Sequence, residues 1–316
     1  MNTFTTRRAT LQDVGSLVSL ILEAARQNSF IEPSLWPMHV EAEGRVQIAL
    51  ERDLATPERR AWFLAEAGGE AVGAVEVGLN PAPPVYELGG QPAGLVGETF
   101  YARVPDASPA LLDAAEAFVR EHGAAVTVAT CPAQDTRRLA LLQERGYCPL
   151  TLWMIKAVNT RADFSPAIRP AAETDLSSLV RLNRQAQEEK RRANARFWTP
   201  HPDAPARFEG WMRHSLTLAD RELLVSPANG GARGFAVAQP AGLPPAHDAA
   251  GLGLLDDLAA DDWATFADLL NAAQIAFARQ GRTTVQAVCP ADWPERREAL
   301  EAAGFRTANL WLILEE

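Results

Sequence analysis

Lysine is nearly missing from this chain. Lys156 and Lys190 are the only two, and the other 28 of the 30 basic residues are arginines, which reads as the codon bias of a GC-rich genome rather than as function. Basic residues are also outnumbered, 30 against 40 acidic, leaving a net charge of −10. Residues 1–160 hold 19 acidic and 13 basic side chains, and the remainder hold 21 and 17. Neither half therefore carries the basic footprint with which a protein displaces counterions from nucleic acid, and nucleic acid is excluded as a partner. Cysteine is scarce: Cys131, Cys148 and Cys289 make an odd number with no CxxC spacing and no histidine pattern beside them. That excludes a disulfide framework and a zinc site, and no metal is expected. No apolar run approaches the length of a membrane span, and the opening MNTFTTRRAT has no apolar signal core. A membrane is excluded, and a cytoplasmic location is expected.

What is present is enough apolar residue, 47% of 316, to build two cores of ordinary size. The chain is also written twice. Asp13, Leu17, Val18, Trp36, His39, Arg45, Leu54 and Arg59 each find an identical residue 162 positions later, from Asp175 through Trp198 and His201 to Arg221. The offset narrows to 161 where Gly73 meets Gly234. It then settles at 158, pairing Leu111-Leu112 with Leu269-Leu270, Cys131-Pro-Ala with Cys289-Pro-Ala, and Trp153 with Trp311. Such a collinear series with only small gaps is a duplication of a unit of about 155 residues. The expected domains are 1–158 and 167–316, joined by a polar linker at 159–166.

In the first copy the pattern predicts a strand at Phe4–Arg8 and helices at Leu11–Asn28 and Val40–Leu54. Strands at Trp62–Ala67 and Ala71–Val77 flank Gly68-Gly69-Glu70, a hairpin signal. A strand at Leu95–Tyr101 precedes a helix that carries Leu111, Leu112, Ala115, Phe118 and Val119 and ends at Gly123. Ala125–Thr130 (strand), Asp135–Arg145 (helix) and Leu150–Ala157 (strand) close the unit. The order β-α-α-β-β-β-α-β-α-β recurs in the second copy, where Leu252–Leu258 reads as one strand. The fold class is α/β: two tandem units, each a mixed, mostly antiparallel sheet flanked by helices.

This order, the Arg-x-Ala-x-x-x-Asp opening (Arg7–Asp13, Arg169–Asp175), the Gly-Gly-Glu-x-Val-Gly hairpin and the LLQERGY ending at Leu141–Tyr147 resemble the GNAT superfamily of acyl-CoA-dependent N-acyltransferases over nearly all of both copies. The resemblance implies acetyl-CoA as co-substrate and an amine acceptor, a small molecule or a peptide. It places the donor motif, Arg/Gln-x-x-Gly-x-Gly/Ala at a helix start, on Arg103-Val-Pro-Asp106-Ala-Ser108. Phe100, Ala102, Arg103, Val104 and Ser108 are then the cofactor-binding candidates, with Asp106 in place of the first glycine. In the second copy the same window reads Asp261-Asp-Trp-Ala264-Thr-Phe266, whose two carboxylates would compete with a pyrophosphate for the helix N–H groups, so the first copy is expected to hold the donor. The tyrosine that many GNAT enzymes use as a general acid is Leu142 in one copy and Leu300 in the other, and neither can give a proton. Glu98 is the catalytic candidate, a strand carboxylate placed to act as general base; the alternative is an exposed strand-end carboxylate.

Trp36-Pro-Met-His39 and Trp198-Thr-Pro-His201 are the other repeated feature. Trp36, His39, Trp198 and His201 are acceptor-binding candidates, because the resemblance puts this loop on the acceptor side. The competing reading is a loop pinned by a buried tryptophan. Two functions follow from the sequence: acetyl transfer to an amine with the donor on the first copy, or a non-catalytic ligand-binding or protein-interaction module built from two degenerate units.

Overall fold

A computed structural model describes residues 4–158 and 168–314 of the protein. The expected linker at 159–166 lies outside the described residues. The first run of elements is β1 (Thr5–Arg8), α1 (Val14–Ile31), α2 (Ala42–Ala55), β2 (Arg60–Ala67), β3 (Glu70–Asn80), β4 (Ala93–Ala102), α3 (Ser108–Glu121), β5 (Val126–Pro132), α4 (Thr136–Glu144) and β6 (Tyr147–Ala157). The second run is β7 (Arg169–Pro170), α5 (Leu176–Ala193), α6 (Ala204–Ser215), β8 (Glu222–Ala228), β9 (Gly231–Pro240), β10 (Leu252–Leu255), β11 (Leu258–Ala260), α7 (Trp263–Arg279), β12 (Thr284–Pro290), α8 (Pro294–Ala302) and β13 (Arg306–Leu314). The expected single strand at Leu252–Leu258 is corrected to two, because Asp256 and Asp257 interrupt it.

Local chemistry accounts for the elements. The opening Arg-x-Ala-x-x-x-Asp is an ion pair that folds each first strand onto its first helix: Arg7 meets Asp13 at 2.7 Å and Arg169 meets Asp175 at 2.8 Å. Each aspartate also accepts the backbone N–H three residues back, from Thr10 and from Ala172. α1 buries Leu17, Leu20, Ile21, Ala24 and Asn28, one face at helical spacing. The β2–β3 hairpin turns at Gly68 and Gly69, whose φ values of 59° and 85° suit glycine. α3 lies so close to β4 that a Cβ on Gly94 would stand 2.3 Å from Val119 Cγ1. The same contact recurs where Phe277 of α7 meets Gly253 of β10.

All but β11 lie on one path, β1-β2-β3-β4-β5-β13-β6-β12-β10-β9-β8-β7, and β11 pairs with β9. The closing strands are exchanged. β13 lies antiparallel between β5 and β6, and β6 lies antiparallel to β12. Each run thus completes the sheet of the other. One core cluster accordingly joins side chains of both runs, among them Val96, Ala129 and Met154 with Leu270, Ala287 and Leu312. Glu32 at the end of α1 pairs with Arg306 of β13 across the same boundary.

The two runs also clasp each other through loops. Residues 241–251, between β9 and β10, lie over the loop between α1 and α2, where Met38 bridges to His247. Residues 81–92, between β3 and β4, do the reverse, with Tyr86 bridging to Pro200. The hydrogen bonds correspond one for one: His39 N–H donates to Ala246 O (2.9 Å) and His201 N–H to Val85 O (3.0 Å). Likewise Asp248 N–H donates to Pro37 O (2.8 Å) and Glu87 N–H to Thr199 O (2.9 Å).

Candidate active site

β4 is the strand around which the site is built. It runs parallel to β5 only from Ala93 to Val96, and beyond that the two separate. Against β3 its register jumps from Val77↔Val96 to Val75↔Phe100, so Gly97, Glu98 and Thr99 bulge opposite Glu76 alone. Backbone groups in the bulge are released from the ladder, and Glu98 takes a hydrogen bond from its own backbone N–H. A Cβ on Gly97, at the crest, would stand 3.0 Å from Glu76 Oε2 and press on that carboxylate.

On one side of the bulge is a small cavity of 110 Å³. Glu76, Glu98 and Thr99 line it from the sheet, and Ile21, Ala24, Val46 and Leu50 from α1 and α2. Pro244, Pro245, Ala246 and His247 roof it from the second run. Arg60 bridges Glu76 (2.8 Å) and Asp53 (3.3 Å). Burial pushes Glu76 up to about 7 against the pull of Arg60, with Glu98 and Asp53 adding to the rise. Glu98 is raised by burial as well, against its own amide, Arg60 and Arg138. His247 is driven down to about 4 by burial, while its Nδ1 faces Trp36 O at 3.1 Å, so it is neutral at physiological pH.

On the other side is an open groove of 420 Å³ at the start of α3. Phe100, Ala102 and Ser108 line it, together with Arg137 and Arg138 of α4. Arg138 is 8% exposed. Its guanidinium sits 5.7 Å from the Phe100 ring and meets Asp135 at 3.3 Å, while its Nη1 has no partner among the described residues. Leu142, one turn further along α4, is fully buried.

Arg103 does not turn into the groove. Its Nη2 meets Glu23 of α1 at 2.5 Å and Ser19 Oγ at 3.2 Å, and its Nη1 donates to Ala71 O. Asp261, its counterpart in the second run, makes the same helix–strand bridge with the charges exchanged, to Arg181 of α5 at 2.9 Å. Arg103 as a groove cation is therefore corrected: Arg137 and Arg138 hold that place. Val104 contributes its carbonyl to the turn that starts α3, accepting from Ala107 N–H at 2.9 Å.

The second run differs at each of these points. Asp256 and Asp257 interrupt the strand where Glu98 stands, and burial raises Asp257 to about 6. Arg296, the counterpart of Arg138, donates to Leu258 O of β11 (2.9 Å) and to Val288 O of β12 (3.4 Å). It thereby ties together the strands whose separation forms a groove in the first run. Asp262 caps α7, accepting from Thr265 N–H at 2.7 Å.

The tryptophan–histidine pairs prove to be anchors. Trp36 is wholly buried, 5.1 Å from the His247 ring and 6.4 Å from Trp153. Trp198 is buried 5.0 Å from Tyr86, the residue that corresponds to His247. His39 and His201 each turn Nδ1 onto a backbone N–H two residues on, from Glu41 and Asp203. None of Trp36, His39 and Trp198 lines the carboxylate cavity, and His201 lines a separate 540 Å³ pocket beside Tyr86 and Arg207. Their assignment to the acceptor is corrected: each tryptophan is spent on the loop of the other run. Glu76, Arg137 and Arg138, absent from the sequence reading, take part instead.

No family model and no curated protein sequence matches the chain. Solved structures do. A GCN5-related N-acetyltransferase from Sphaerobacter thermophilus superposes with a TM-score of 0.58 at 17% identity, over 98% of this chain and 94% of its own. A tandem GNAT protein from the clavulanic acid biosynthesis pathway, solved without AcCoA, gives 0.52 at 16% identity over 98% and 97%. A GCN5-related glucosamine N-acetyltransferase region of a fungal multi-domain GH3 β-N-acetylglucosaminidase gives 0.59 at 13% identity, over 99% of this chain and 38% of that one. Among the described residues no helix is long and apolar enough to cross a membrane, and no His, Cys, Asp and Glu side chains gather as metal ligands would. Two successive runs of one element order, matched end to end by solved N-acetyltransferases, give this chain a tandem GNAT fold.

Proposed function

We propose that the protein transfers an acetyl group from acetyl-CoA to an amine, with the donor held by the first run. One observation carries this reading: the bulge of β4 separates an open groove at a helix start from a small carboxylate cavity. Phe100 lines the first and Glu98 and Thr99 line the second, so donor and acceptor would meet across three residues. The start of α3 lies in the groove, where the helix dipole favours the CoA pyrophosphate, and Arg137 and Arg138 add positive charge. Glu98 takes the proton of the amine, and its raised affinity for a proton suits that task. The amine nitrogen attacks the thioester carbonyl carbon, and the developing oxyanion faces the amides freed by the bulge. The C–S bond then breaks and the electron pair leaves on sulfur. The thiolate departs beside Arg138 and takes its proton from water, since Leu142 has none to give.

Leu142 is also the observation that favours the alternative, a ligand-binding module without turnover. Calorimetric titration with acetyl-CoA is the test. One site is expected, because Arg296 ties β11 to β12 in the second run. Arg138→Ala should weaken that site by about tenfold, the loss of one charge-assisted hydrogen bond. Absence of both heat and thermal stabilisation at saturating acetyl-CoA would defeat the acetyl-transfer reading.

A further inference from the structure

The cavity behind β4 is too small and too apolar to be a general amine port. We propose that it takes one short alkylammonium ion, a small aliphatic monoamine, and excludes peptide amines. This narrows the acceptor of the acetyl-transfer reading and rests on it only for the role of acceptor; occupancy of the cavity stands on its own geometry.

Size comes first. A cavity of about 150 Å³ holds a benzene ring, so 110 Å³ accommodates on the order of four or five non-hydrogen atoms. The roof sets that limit. Pro244 and Pro245 fix its backbone, Ala246 O accepts from His39 N–H, and His247 is bridged to Met38. The strap is bonded down on residues 36–39 of the α1–α2 loop, so a polypeptide entering there would have to displace it.

Chemistry comes second. The walls contributed by Ile21, Ala24, Val46 and Leu50 are aliphatic, and the polar groups gather at the sheet end. There Asp53, Glu76 and Glu98 face Arg60, which is bonded to the first two, and Arg52, which meets Asp53 at 3.3 Å. Fully ionised, that end would carry three negative charges and two positive. Burial instead raises the proton affinity of Glu76, to about 7, and of Glu98. An ammonium entering beside them takes the place of a proton, so its charge is neutralised where it stops and its alkyl stem lies against the apolar wall. His247 adds no opposing charge, being neutral. A second ammonium at the other end of the stem would lie against the aliphatic wall with no carboxylate beside it, which disfavours diamines.

The test uses the full-length protein and four probes: n-butylamine, 1-butanol, 1,4-diaminobutane and triglycine. Saturation-transfer NMR without donor should show butylamine bound, butanol and diaminobutane at least tenfold weaker, and triglycine not bound. Ala49→Leu, on the cavity wall at a half-buried position, should remove butylamine binding while the melting temperature is held. Ile21→Ala should shift the preference to a longer amine. Butanol or triglycine binding as well as butylamine would overturn the assignment, as would unchanged binding in Ala49→Leu. A parallel thiol-release assay with acetyl-CoA keeps the two readings apart. Butylamine binding without thiol release leaves the cavity assignment standing and removes acetyl transfer. Thiol release with triglycine but not with butylamine does the opposite.

Discussion

Glu76 stands in an otherwise apolar strand with its side chain 17% exposed. Its proton is held up to about 7 because burial disfavours the charge more than Arg60 restores it. The sign of the consequence is fixed. A carboxyl whose folded value exceeds its unfolded value of 4.5 stabilises the fold most when protonated, at low pH. That stability is lost as pH rises from about 4.5 through about 7. A shift of this size corresponds to roughly 3 kcal/mol over the window. Glu76→Gln cannot titrate, so the stability difference between wild type and variant should move against wild type by up to that amount between pH 4.5 and 8, read from urea midpoints. A difference that stays flat across the window would mean that Glu76 is ionised throughout. The residue was legible in the sequence: it is the one charge inside the apolar run Gly73–Leu79. Arg138 was legible too, since Arg296 repeats it at the 158 offset. Motif comparison pointed instead at Leu142, the position of a missing acid. What no pattern gave was the direction of Arg103, whose partner Glu23 is 80 residues away.

At the scale of elements, the bridge between the first helix and the end of β4 is built in both runs with opposite polarity. Arg103 on the strand meets Glu23 on α1, and Asp261 beyond β11 meets Arg181 on α5. An ion pair at the same place in both runs, made from different helix positions, serves to hold the helix against the strand end. Arg103→Glu should therefore leave acetyl-CoA affinity within about twofold and cost on the order of 1 kcal/mol of stability, since the pair is partly exposed and now repels. Adding Glu23→Arg should restore most of that stability, as read by thermal melts of the two variants. Loss of acetyl-CoA binding in Arg103→Glu with full recovery in the double variant would point to an indirect effect. Loss without recovery would return Arg103 to the groove. Most elements were readable because hydrophobic period and turn glycines agree: Gly68, Gly69, Gly123 and Gly146 all have positive φ where helices and hairpins end. The exception, Leu252–Leu258, failed because two buried carboxylates outweigh an otherwise apolar strand pattern. Trp36 and His39 were legible as a repeat but not as an anchor, because the Ala246–His247 strap that receives them lies more than 200 residues further on.

The repeated order of elements was legible, yet the exchange of closing strands was not, and the reason is the repeat itself. β6 and β13 carry the same alternation, with Trp153 in one corresponding to Trp311 in the other, and their rings lie 5.6 Å apart. Either strand satisfies the apolar edge of either β5 or β12, so hydrophobic pattern cannot choose between own and exchanged partners. In the folded molecule β13 pairs with β5 from Asn309 to Ile313, and β6 with β12 from Tyr147's end of the sheet onward, from Thr151 to Ala157. The roof of the carboxylate cavity likewise belongs to the opposite run. A cut within 159–167 therefore severs the chain without separating its cores. With a protease site inserted there, the cleaved protein should elute from a sizing column as one species of 34.2 kDa, with both fragments in the peak. They should part only in denaturant, because withdrawing β13 exposes the edges of both β5 and β6 and opens the shared core. Acetyl-CoA affinity should be unchanged by the cut. Two separate peaks of half the mass under native conditions would mean that each run keeps its own closing strand, and with it a cavity that must find another roof.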